Sequence, residues 1–131
     1  MNVPMVTGFY AGILTVMLLL LTINIIRLRF QYRVGLGDGG EPALIKAIRM
    51  HGNFIEYIPF ALMLMVIAEL THGATWWLHA AGMCLVFGRV SHAIGLTKTS
   101  GTSIYRQVGM LSVFLVLLAL ASVNMVSFLG F

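Results

Sequence analysis

Lys46, Arg49, Asn53, Glu56 and Phe60 recur at steps of three and four residues. On a helix they form one stripe, in which two cations, an amide and a carboxylate share a face. His51 projects from almost the opposite side. Further along, Arg89 and His92 stand three residues apart, and Arg106 opens the last apolar run. A guanidinium grips carboxylates in a bidentate fork and, as a fixed cation, favours the ionised form of a nearby thiol. Arginine in excess over glutamate therefore suits a small anionic ligand bearing carboxylates or a thiolate, with Glu56 able to accept an ammonium group. A simpler reading pairs Glu56 with Arg49, or with Arg89, as bundle struts, and sends Arg27, Arg29 and Lys98 to lipid phosphates. No Ser-His-Asp grouping is present, and His51, His72, His79 and His92 lack metal-ligand spacing, so no metal is expected.

The elements that must position these side chains follow from composition. Of 131 residues, 60% are hydrophobic and only 9% charged, far from the roughly one-quarter charged of soluble domains. The chain reads as an integral membrane protein, all-α, with a single transmembrane domain. Its helices are expected at about 4–26, 43–70, 76–96 and 104–130, each long enough for a bilayer core of about 30 Å. The first apolar run has neither a basic leader nor a small-residue cleavage site and is expected to remain as helix 1. Gly35-Leu36-Gly37-Asp38-Gly39-Gly40 lacks the Gly-Lys-Ser/Thr ending of a phosphate loop and reads as a turn. Glu69, Thr71, His72 and Gly73 read as a polar turn before the interfacial pair Trp76-Trp77. Cys84 stands alone in an apolar run and reads as packing.

The net charge of +4 is carried at helix ends, which speaks for topology and against nucleic acid. Arg27, Arg29, Arg33 and Lys46 flank the first loop, Lys98 and Arg106 the third, and the second has none. Loops 1 and 3 are therefore expected in the cytoplasm and both termini in the periplasm. Because the charged stripe of helix 2 needs more partners than one bundle offers, a homotrimer with helix 2 near its axis is expected.

The segment Arg49-Met50-His51-Gly52-Asn53-Phe54-Ile55-Glu56-Tyr57-Ile58-Pro59 resembles the helix 2 signature of the membrane-associated proteins in eicosanoid and glutathione metabolism (MAPEG) family, Arg-x-x-x-Asn-x-x-Glu with a nearby proline. Gly88-Arg89-Val90-Ser91-His92 resembles the Gly-Arg-Val-x-His of its prostaglandin E synthase branch, and Arg27-Leu28-Arg29 resembles the basic exit of helix 1. The resemblance implies a trimeric four-helix membrane protein of the small bacterial kind, in the inner membrane, with glutathione bound between subunits. It further implies Arg27, Arg49, Asn53, Glu56, Tyr57, Arg89 and His92 as glutathione contacts and Arg106 as the catalytic group stabilising the thiolate. Gln107, Met110 and Leu96 stand where family enzymes carry a serine and two tyrosines.

The expected function is thus a glutathione transferase or peroxidase acting on a hydrophobic small molecule drawn from membrane lipid. A non-catalytic scaffold binding lipid or glutathione is the alternative. A small transporter using Glu56 ranks third, since the surrounding arginines would offset the carboxylate's attraction for cations.

Overall fold

In the computed structural model, which describes residues 2–99 and 101–130, four helices follow one another. They are α1 (Met5–Tyr32), α2 (Pro42–His72), α3 (Trp76–Lys98) and α4 (Ile104–Phe128). All four are long and apolar enough to cross a membrane. Met1, Phe131 and Ser100, which belong to the expected chain ends and third loop, lie outside the described residues.

The helix ends follow local chemistry. Pro42 occupies the first turn of α2, where its missing N–H costs nothing, and Ser103 caps α4 by accepting the Tyr105 N–H at 3.2 Å. Helix α1 does not stop at Ile26 as expected but continues to Tyr32. The basic residues mark where the helix leaves hydrocarbon, and nothing in Arg27-Leu28-Arg29 unwinds it. Termination comes at Arg33, whose left-handed backbone (φ 56°, ψ 43°) turns its N–H back to the Arg29 carbonyl. Helix α2 likewise extends two residues past Leu70, to His72, and ends on Gly73 at φ 76°. Helix α4 ends at Phe128, two residues short of its expected limit.

The polar turn expected to begin at Glu69 is absent at that residue, which lies inside α2 and is fully buried. Its carboxylate accepts the Val6 N–H at 2.8 Å and the Thr7 N–H at 2.7 Å. Those are unsatisfied donors of the first turn of α1, so one helix caps another. Asn2 adds a bond from Nδ2 to the Leu70 carbonyl at 3.0 Å.

Apolar surface faces lipid as readily as protein, so close van der Waals packing has to hold the helices together. The core threads Leu14, Phe54, Ile58, Ala61, Met65, Leu78, Leu85, Val113 and Leu120. The tightest crossing joins α3 to α4: a Cβ on Gly109 would stand 2.6 Å from the Gly88 carbonyl oxygen and 2.8 Å from the His92 backbone nitrogen. One turn nearer the third loop, a Cβ on Gly95 would stand 2.8 Å from the Arg106 backbone nitrogen. Glycine thereby sets where His92 and Arg106 sit. Helices α1 and α4 do not touch, since α2 and α3 lie between them.

Candidate functional site

Three helices converge at the end of the bundle that carries loops 1 and 3. Asn53 comes from α2, Arg89 and His92 from α3, and Arg106, Gln107 and Met110 from α4. Asn53, His92, Arg106, Gln107 and Met110, with Thr102 and Ser103 of the third loop, line an open cleft of about 300 Å³. No carboxylate among the described residues lines it.

Arg89 stands behind this cleft with only 3% of its surface exposed. One terminal nitrogen donates to Asn53 Oδ1, the other approaches Met110 Sδ at 3.6 Å, and Nε has no partner among the described residues. The described residues contain one ion pair, Arg49–Glu56 at 3.9 Å, so no carboxylate compensates Arg89. A buried cation without an anion is costly, because the attraction that would offset its lost hydration is missing. His92 is buried beside it. On their far side, Arg89 and His92 join Met17, Leu20, Leu21, Met50, Phe54 and Ala93 around a second, apolar cavity of about 140 Å³.

Arg106 donates from Nη1 to the Gly101 carbonyl at 2.8 Å, which ties it to the third loop at the rim of the cleft. Ser91 Oγ donates to the Tyr105 carbonyl at 2.8 Å and fixes the start of α4 against α3. Tyr57, one turn past Asn53, packs edge-on to Phe114 with ring centres 5.6 Å apart. Arg49 and Glu56 are 63% and 50% exposed, on the outward face of α2 with Ile45, Phe60, Met63 and Ile67. Arg27 bonds Asn24 Oδ1 at 3.0 Å on α1 and does not line the cleft.

Of the eight residues singled out from the sequence, the single chain therefore gathers Asn53, Arg89, His92 and Arg106. Arg49 and Glu56 lie on an outer surface and Arg27 on a helix that does not reach α4. Sequence reasoning passed over Thr102 and Ser103 and treated Gln107 and Met110 only as departures. Their part in the cleft follows from position, one to four residues from Arg106.

Comparison with known proteins shows the family of the chain. The sequence model of the MAPEG family matches residues 7–126. The chain belongs to that family. It is similar to inner membrane protein YecN of Escherichia coli strain K12, with 44% identity over 91 residues that make up 70% of each chain. YecN of Escherichia coli O6:H1 strain CFT073 matches with the same identity and coverage. The resemblance noted on the helix 2 and helix 3 segments thus extends to nearly the whole chain, and all eight candidate residues fall within the MAPEG match. The protein is an integral membrane protein of the MAPEG family, with four apolar helices able to span the bilayer.

Proposed function

We propose that this MAPEG member resides in the bacterial inner membrane as a homotrimer and binds glutathione at the electropositive cleft beside Arg106. There it acts as a transferase or peroxidase on a lipophilic molecule. The observation that carries this reading is the buried Arg89, which has no carboxylate partner among the described residues and hydrogen-bonds Asn53 on the cleft wall. A carboxylate-bearing ligand would bring negative charge to a site that has none. The thiol of the same ligand, set toward Arg106, would be held as the reactive thiolate. Holding the sulfur next to an electrophile that enters from lipid then contributes through proximity.

The outward Arg49–Glu56 pair supports the assembly. Charged side chains left half-exposed along a membrane helix are stabilised when a neighbouring subunit covers them, and Glu56 would then meet a ligand's ammonium at a subunit boundary. The cytoplasmic placement of loops 1 and 3 rests on their basic residues and would face the cleft toward soluble glutathione.

A binding protein without turnover is the second reading, favoured by one observation: Gln107 and Met110 line the cleft and bring no ionisable group. Calorimetry with reduced glutathione and the detergent-purified protein tests the binding shared by both. Saturable binding is expected, weakened about tenfold or more by Glu56→Gln, which removes a charge-assisted bond and keeps the shape. Absence of binding, or unchanged affinity in a well-folded Glu56→Gln protein, overturns the assignment of that contact. Cross-linking in mild detergent is expected to reach trimer, and a product that stops at monomer or dimer contradicts the assembly.

A further inference from the structure

We infer that the exit of α1 holds a second site, independent of the glutathione cleft, which binds the headgroup phosphate and the upper acyl chain of an anionic phospholipid. Ile26, Arg29 and Phe30 recur at steps of three and four residues on one face of α1, and Arg33 follows at its left-handed end. With Val34 and Gly35 they line an open pocket of about 380 Å³ on the outer flank of the bundle. From Ile26 to the last turn at Tyr32 the helix rises about 9 Å, and Arg33 follows directly. Apolar side chains therefore lie toward the hydrocarbon and a guanidinium lies at its surface, in the order that a phospholipid presents its chain and its phosphate.

The basic residues around this pocket are not equivalent. Arg29 donates from Nη1 to the Gly37 carbonyl at 2.8 Å and the Val34 carbonyl at 3.3 Å, so it braces the loop that forms the wall. Arg27 is engaged with Asn24. The Arg33 guanidinium is exposed and donates no hydrogen bond to, and forms no ion pair with, any described residue. Asp38, the acid nearest in sequence, accepts the Gly40 N–H at 2.9 Å within the loop. Arg33 also occupies a left-handed position (φ 56°) that glycine would fill with less strain. An arginine standing there at a conformational cost supplies what glycine lacks, a cation.

Apolar exposure completes the complementarity. Phe30 is 81% exposed beside the two arginines, and Leu36 in the loop above is 94% exposed. In water such surface is unfavourable, whereas at a lipid interface it lies against chain and glycerol. Cationic groups at the surface of an anionic leaflet draw its phosphates, and a pocket pairing them with apolar walls selects an anionic phospholipid over both a zwitterionic one and a soluble phosphate.

Native mass spectrometry of the detergent-purified protein, loaded with equal phosphatidylglycerol and phosphatidylcholine, tests the site. The wild type is expected to retain phosphatidylglycerol preferentially. Arg33→Gly is expected to weaken that retention about fivefold, the effect of one cation at a membrane surface. Its thermal stability should be unchanged or higher, since glycine suits the left-handed position. Equal retention of both lipids, or unaltered retention in Arg33→Gly, overturns the proposal. Displacement of phosphatidylglycerol by glycerol phosphate in solution overturns the lipid and leaves a free-phosphate site. A change in cross-linked assembly without a change in lipid retention assigns the pocket to a second copy of the chain instead.

Discussion

Asn53 accepts a hydrogen bond from Arg89 across the α2–α3 interface, and this is the only side-chain oxygen bonded to the buried guanidinium among the described residues. A neutral amide satisfies a donor but leaves the positive charge uncompensated, so Arg89 retains its demand for an anion.

Replacing that amide by a carboxylate should supply the missing charge. Asn53→Asp is expected to raise the thermal stability of the ligand-free protein and to weaken glutathione binding, because a fixed anion now competes with the ligand. Asn53→Ala should instead cost about 1.5–3 kcal/mol by removing a hydrogen bond to a charged group. Thermal unfolding and calorimetry on the two variants check this; an Asn53→Asp protein that loses stability contradicts the uncompensated charge.

Glu69 is predicted to matter for folding and not for the ligand, since it lies at the opposite end of α2 from Asn53. Its carboxylate holds two N–H donors at 2.7 and 2.8 Å, so Glu69→Gln forfeits the charge and leaves one of them poorly bonded. A loss of about 1.5–3 kcal/mol is expected with glutathione affinity unchanged. A denaturation series paired with binding data separates the two effects.

Gly109→Ala should disrupt the α3–α4 crossing, because the added Cβ meets the backbone of both Gly88 and His92. Overpacking of this kind costs about 1–3 kcal/mol, and here it would also push His92 away from the cleft. Reduced melting temperature together with weaker glutathione binding is the expected outcome. Full tolerance of the alanine contradicts the crossing described.

Much of this was legible in the sequence because its signals are local. Apolar runs marked the four spans, and steps of three and four residues placed Arg49 with Glu56 and Arg89 with His92. What escaped depends on contacts far apart in the chain. Glu69 read as a turn residue because nothing near it reveals that the first turn of α1, over 60 positions earlier, lacks acceptors. The end of α1 escaped for a different reason: helix termination at Arg33 uses a left-handed arginine, where glycine is the usual sign. Asn53 and Arg89 were both identified, but their pairing needs the α2–α3 packing to bring them together.

A reporter fused after the last residue tests the orientation drawn from the basic loops. Periplasmic activity is expected, and cytoplasmic activity would invert the assignment and turn the cleft away from cytoplasmic glutathione.

The most direct test of the central claim is the ultraviolet absorbance of bound glutathione at about 240 nm, where thiolates absorb and thiols hardly do. Saturating glutathione at neutral pH should give a thiolate signal with the wild type. Arg106→Ala should shift its titration upward by about one to two units, as loss of a close cation disfavours the anion, while affinity falls less. The absence of a thiolate signal from saturated wild-type protein would contradict thiol activation at Arg106 and leave a binding protein without catalysis.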